Sequence, residues 1–381
     1  MGSGRASAIA TAAAPRRALT ANFAVVPPSQ ALALLTTLRR EALMCDAIPI
    51  LANLDELWAR VPPGDERLLE LAATLDRLAG PIAITTSGPG LELRSERRTL
   101  VRSRWPLPDP VARRVLWETV LGDVRPDAQL DELAHRYALG PGGIAAAARS
   151  ARHHASDRAS SEPTFADLVT GVQDNIAERL GDLARRVEVK QTWHELVLPA
   201  ETHDDIHALI GRIRNAHLVL DRWNLRSKLP LGTGVAALFS GPPGTGKTMV
   251  AGLIAGELQL ELYQVDLSRI VSKWVGETEK QLAKVFEAAE AGHALLLFDE
   301  ADALFAKRSA EVKSATDRYA NLEVNYLLQR IESFGGAVIL TTNLDASIDP
   351  ALRRRLASHI VFALPDQAER ARLWREMLGT G

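Results

Sequence analysis

Residues 241–248, Gly241-Pro242-Pro243-Gly244-Thr245-Gly246-Lys247-Thr248, carry the densest chemical signal in the chain. They fit the phosphate-loop pattern G-x-x-x-x-G-K-[ST], with Gly241, Gly246, Lys247 and Thr248 in the defining places. Val235 to Ser240 just before is a short apolar run of buried-strand character, and Met249 to Leu260 just after reads as a helix. A loop between such elements aims successive backbone N–H groups, and the positive end of the helix dipole, at one small volume. That volume suits a polyphosphate. Glycines let the backbone approach closely, Lys247 brings a cation to the β and γ phosphates, and the Thr248 hydroxyl can ligate magnesium. Pro242, Pro243, Thr245 and Met249 complete the cradle for the nucleotide. A chance glycine-rich turn would not bring strand, Lys-Thr pair and helix together.

Three further groups belong with this loop. The apolar run Ala294 to Phe298 ends in Asp299-Glu300, so a buried strand delivers both carboxylates to the edge where the loop lies. Asp299 is expected to hold Mg2+ with Thr248, directly or through water, and Glu300 to orient or deprotonate an attacking water. A third strand, Ala337 to Thr342, ends in Asn343, an amide able to hydrogen-bond that water or the γ-phosphate. Arg354 and Arg355 follow Asp349-Pro350 and could donate bidentate bonds to a neighbouring subunit's γ-phosphate. An acidic pair after a strand, or an Asn opening a turn, is common by itself. Combined with the loop, they point to hydrolysis of a nucleoside triphosphate with Mg2+.

What must position these groups is an α/β fold, and the chain supplies it twice. Leu107 to Gly122 (LPDPVARRVLWETVLG) aligns without a gap on Leu364 to Gly379 (LPDQAERARLWREMLG). Ile82 to Ser87 matches Val338 to Asn343 in the same way, and Ile50 to Asn53 is expected where Leu296 to Asp299 stands. Two copies of one domain type are the simplest reading. The first copy has no phosphate loop and places Asn53, Leu54 and Ser87 where the second has Asp299, Glu300 and Asn343. It is therefore expected to hold no nucleotide, and Arg97 and Arg98, opposite Arg354 and Arg355, are read as surface or packing arginines. The expected organisation is a flexible stretch over 1–22, a partial degenerate α/β domain over 23–122, a helical lid over 123–155, linker and helix over 156–190, and the active core over 191–381.

Composition narrows the setting. At 381 residues there is room for two or three domains of roughly 150 residues each. A formal charge of −2 gives no bulk electrostatic attraction to nucleic acid or an anionic membrane. The one cysteine, Cys45, excludes an intramolecular disulfide and favours a reducing cytoplasm. No apolar run approaches the roughly 20 residues that span a bilayer. His203 and His207 lie one helical turn apart beside Asp204 and Asp205, which is the spacing of a helical metal pair but also of a solvated helix face.

With these residues in view, 191–381 resembles an AAA+ ATPase domain of the AAA subfamily, a P-loop NTPase fold of three αβα layers around a parallel sheet. The resemblance implies that Gly241 to Thr248 is Walker A, Asp299-Glu300 Walker B, Asn343 sensor one, and Arg354 with Arg355 the arginine fingers. It also places Lys273, Trp274 and Val275 at a first pore loop, where Trp274 would grip a polypeptide in the channel of a homohexameric ring. Asp317 to Asn321 falls near a second pore loop or the subunit interface. The tandem arrangement with a degenerate first copy resembles bacterial AAA ATPases, some of which accompany phage-tail-like contractile injection systems. The second copy reaches Gly381 where the first copy's lid begins, so a fragment or shortened gene is expected. The implied function is a ring motor that remodels or threads a protein, with a low-turnover nucleotide-dependent scaffold as the other reading. A helicase, suggested by Asp299-Glu300-Ala301-Asp302, lacks a basic groove interleaved with aromatics.

Overall fold

A computed structural model of the chain describes residues 4–62, 65–78, 80–86, 97–103, 105–122, 127–160, 162–217, 234–267, 277–301, 326–343 and 356–378. Contacts divide the chain into two units, Met1–Leu107 with Gly140–Gly142, and Pro108–Leu139 with Gly143–Gly381. Among the described residues no helix is long and apolar enough to cross a membrane.

The first unit contains α1 (Arg5–Ala12), β1 (Arg17–Asn22), α2 (Ala31–Met44), β2 (Ala47–Ala52), α3 (Leu54–Ala59), α4 (Glu66–Arg77) and β3 (Ala83–Ile84). Its strands form a parallel sheet in the order β1-β2-β3. Phe23, Leu35, Leu51, Leu54, Leu71 and Leu75 build its core. The terminal stretch expected to be flexible instead supplies a helix and a strand. The Ala-rich run suits a helix, and β1 satisfies its backbone groups by pairing with β2 from Arg17↔Ala47 to Asn22↔Ala52. Arg98 donates to the carbonyls of Leu78 and Gly80, which gives it a packing role in this unit.

Four helices open the second unit: α5 (Pro110–Leu121), α6 (Asp127–Arg136), α7 (Pro141–Asp157) and α8 (Phe165–Leu180). Then follow β4 (Ala184–Arg186), α9 (Ala200–His217), β5 (Val235–Ser240), α10 (Lys247–Glu257), β6 (Glu261–Val265), α11 (Glu277–Gly292), β7 (Ala294–Phe298), β8 (Ala337–Thr342), β9 (Ser358–Val361) and α12 (Gln367–Leu378). Residues 326–333 are also helical. The sheet runs β4-β6-β7-β8-β5-β9, with β4 antiparallel on β6 and every other pairing parallel. Strands β5, β7 and β8 are buried along their whole length, as their near-continuous apolar sequences require of parallel strands covered on both faces. On one face Ile206, Ile210, Val250 and Ile254 pack from α9 and α10 onto Phe239 and Ile339. On the other, Phe286 of α11 and Leu168, Val172 and Ile176 of α8 pack with Leu238, Leu296 and Leu340. The result is a three-layer αβα fold whose second face is shared by the helical segment. The stretch 156–190 is accordingly built into the fold: β4 already pairs with β6 ahead of the boundary expected at 191.

Two details show what the repeat means structurally. Helices α5 and α12 begin alike, with the Asp109 carboxylate accepting from Ala112 N and the Asp366 carboxylate from Glu369 N, each at 2.8 Å. Arg113 Nη1 donates to Pro108 O at 3.1 Å as Arg370 Nη1 does to Pro365 O at 2.7 Å. The second detail corrects the expected alignment by one residue. Ile50 pairs with Ala83 and Leu51 with Ile84, as Leu297 pairs with Ile339 and Phe298 with Leu340. Asn53 N donates to Thr85 Oγ1 at 3.1 Å, and Glu300 N to Thr341 Oγ1 at 3.1 Å. Ala52 therefore stands in the place of Asp299, and Asn53 in that of Glu300. Apolar strands of similar composition can be slid past one another on paper, whereas ladder hydrogen bonds admit one register.

The equivalent tryptophans differ in burial. Trp117 of α5 is 0% exposed among Leu130, Leu133 and Leu139, whereas Trp374 of α12 is 61% exposed. Trp117→Ala is expected to destabilise the chain by about 3–5 kcal/mol, and Trp374→Ala by no more than about 0.5 kcal/mol. Denaturant unfolding of the two variants against the parent checks the contrast.

Candidate nucleotide-binding site

The loop 241–246 leaves the C-terminal end of β5 and turns into α10 through residues that reach left-handed backbone angles, Gly244 at φ +79° and Gly246 at φ +92°. Gly246 caps α10, so the first N–H groups of that helix open toward the loop. Lys247, 8% exposed, folds its ammonium back onto the site. Nζ donates to Gly241 O at 2.6 Å, Pro242 O at 2.9 Å and Asn343 Oδ1 at 3.0 Å. Thr245 Oγ1 closes the turn on Pro242 O at 2.9 Å. Pro243 is exposed and Met249 half-buried at the start of α10.

Asp299 and Glu300 follow β7. Thr248 Oγ1 and Asp299 Oδ2 lie 3.5 Å apart. Oxygens in neighbouring positions on Mg2+, each at roughly 2.0–2.1 Å from the metal, sit about 3 Å from one another. A small adjustment would let these two atoms share the cation, so the donor set fits Mg2+. Thr341 Oγ1 donates to Asp299 Oδ1 and accepts from Glu300 N, which couples both carboxylate residues to β8. Ala301 N adds a bond to Thr341 O at 2.9 Å. Glu300 is held at φ +51° with its side chain exposed. Gln264 of β6 donates from Nε2 to Asp299 Oδ2 at 2.7 Å.

The structure thus brings together Gly241 to Met249, Asp299, Glu300 and Asn343 at the C-terminal edge of neighbouring strands β5, β8 and β7. Lys273, Trp274, Val275, Arg354, Arg355 and the stretch 317–321 lie outside the described residues. His207 stacks on Trp193 with ring centroids 5.8 Å apart, and His203 packs tilted against His207 at 4.5 Å and edge-on to Trp193 at 6.2 Å. Among the described residues no cluster of three or more His, Cys, Asp or Glu could hold a metal. Thr341 and Gln264 were not apparent from sequence. Their trace there is a polar residue within a largely apolar strand.

Residues 237–364 match the model of the ATPase family associated with various cellular activities (AAA). The chain carries an AAA ATPase domain. Residues 109–189 match the contractile injection system ATPase helical domain, which covers α5 to α8 and β4. The chain is similar to an AAA family ATPase of Sinorhizobium fredii, 34% identical over 194 residues, 50% of this chain and 56% of that protein. It is also similar to the cell division cycle protein 48 homolog of Archaeoglobus fulgidus, 32% identical over 195 residues, 48% of this chain and 26% of the relative. Vacuolar protein sorting-associated protein 4 of Dictyostelium discoideum is 32% identical over 148 residues, 38% of this chain and 33% of its own length. The matches span little more than half of the first relative and a third or less of the other two.

Thr341 is 1% exposed and serves two partners at once. Thr341→Val keeps the shape and removes both bonds, so a loss of about 1–3 kcal/mol is expected for the buried groups left without a partner. Chemical denaturation measures it.

Proposed function

We propose that the chain binds ATP with Mg2+ and hydrolyses it as one subunit of a homohexameric ring that remodels or threads a protein substrate. The observation that carries this reading is the convergence of Lys247, Thr248, Asp299 and Asn343 on one sheet edge of an AAA domain. Rings of six are typical of the family, and the helical-domain match supports a protein of a contractile injection system as the substrate's setting.

The residues divide the work. Backbone N–H groups of 244–248 and the Lys247 ammonium take the β and γ phosphates, Lys247 exchanging its carbonyl partners for phosphate oxygens. Bound Mg2+, held by Thr248 and Asp299, would neutralise charge on the β and γ oxygens. Glu300 orients the attacking water and accepts its proton; the water oxygen bonds to the γ-phosphorus as the bond to the β-phosphate oxygen breaks, leaving ADP and phosphate. Asn343 orients the water or the γ-phosphate. Arg354 and Arg355 serve a neighbour's site, and Lys273, Trp274 and Val275 grip the substrate.

Glu300→Gln is expected to keep nucleotide binding, followed with a fluorescent ATP analogue, and to lower phosphate release by about 100-fold or more. Parent protein whose slow hydrolysis does not depend on Glu300 under ring-forming conditions would favour the scaffold reading instead. Arg354→Ala is expected to leave affinity intact and cut turnover on the order of a thousandfold. Mixing it with the Glu300→Gln protein should restore part of the activity, and an inactive mixture would refute action across subunits.

A further inference from the structure

Gln264, on β6, reaches the metal carboxylate from outside the nucleotide loop. Its Nε2 donates to Asp299 Oδ2 at 2.7 Å, the oxygen that faces Thr248. Its Oε1 accepts from Arg185 twice, from Nε at 2.9 Å and from Nη2 at 2.7 Å. Arg185 stands on β4 directly opposite Gln264 in the antiparallel register. A guanidinium only donates, so the amide oxygen must face Arg185. The NH2 end must then face Asp299. With Thr341 Oγ1 donating to Oδ1, both oxygens of Asp299 are held from strands on either side of β7.

We infer that Gln264 and Arg185 are positioning residues for the Mg2+ carboxylate: Arg185 sets the direction of the Gln264 amide, and Gln264 fixes Asp299 Oδ2 where it can share a cation with Thr248. The inference rests on the Mg-nucleotide reading above. It has a consequence for the whole domain, because β4 lies inside the stretch that matches the contractile injection system helical domain. Four residues after Arg185, Val189 presses on α10: a Cβ at Gly252 would lie 1.9 Å from Val189 Cγ2. The segment leaving the helical domain therefore reaches the metal carboxylate through Gln264 and packs directly on the helix that follows the phosphate loop. A shift of β4 would be felt as a change in Mg2+ affinity.

The test is the Mg2+ dependence of binding of a fluorescent ATP analogue to the full chain, titrated from excess EDTA to saturating Mg2+. Arg185→Ala and Gln264→Leu are each expected to raise the Mg2+ concentration at half-effect by about tenfold. Affinity in EDTA and the unfolding midpoint should stay at parent values. Arg185→Lys, still able to donate to Oε1, should fall in between, and Arg185→Ala should add nothing in a Gln264→Leu background. Parent-like Mg2+ dependence in both single variants overturns the inference. So do losses that add in the double variant, or a lower affinity in EDTA with the Mg2+ dependence unchanged, which would mark a purely structural role. Parent protein that binds no nucleotide at any Mg2+ concentration refutes the underlying reading, and this inference with it.

Discussion

An ammonium group removed from water has to find acceptors for its protons, because an unpaired buried charge costs several kcal/mol. Lys247 meets this demand with two carbonyls of its own loop and the side-chain oxygen of Asn343. The first two acceptors follow β5 and the third follows β8, so the bond set requires these strands to be neighbours with their ends level. They are: Ser240 pairs with Thr342, and Gly241 N continues the ladder to Thr342 O at 3.2 Å. The order of the sheet is thus a precondition of the site, and one lysine ties the loop to the strand that leads into Asn343.

The same sheet explains how the helical segment becomes part of the fold that carries the phosphate loop. Helix α8 packs on α11 through one face, while β4 continues the sheet beyond β6. Arg186 adds an ion pair to Glu261 on the neighbouring strand at 2.5 Å, and Gln173 of α8 donates to the same carboxylate group at 2.5 Å. Backbone ladder, apolar contact and ion pair all join the two parts, so the helices are not a separate body hung on a tether.

How much of this can be read from sequence depends on whether the signal is local. The phosphate loop is legible because its glycines, lysine and threonine do their work within a few residues, and β5, β7 and β8 because full burial writes itself as an unbroken apolar run. Strand β4 is not legible: Ala184-Arg185-Arg186 has two charged residues in three and gains its identity from β6. Gln264 looks like an ordinary polar interruption of a strand until Arg185 and Asp299 appear on either side of its amide. The one-residue slip at Asn53 has the same origin, since the matching apolar strands carry no mark of register and the decisive bond comes from Thr85, a residue distant in sequence. Residues 5–22 form their helix and strand through contacts that composition does not announce.

The left-handed backbone at Glu300 and Asn53 ends in a contrast of stability and function. Both residues occupy the same place after a strand, at φ +51° and +54°. Asparagine adopts this conformation readily, whereas a longer side chain without a local amide to bond the backbone does so at a cost of about 1–2 kcal/mol. The copy with the carboxylate carries the strain, and the copy without it holds the residue best suited to the turn. Stability alone would favour at position 300 the residue seen at 53, so glutamate there carries a local conformational cost that the proposed role in hydrolysis would account for.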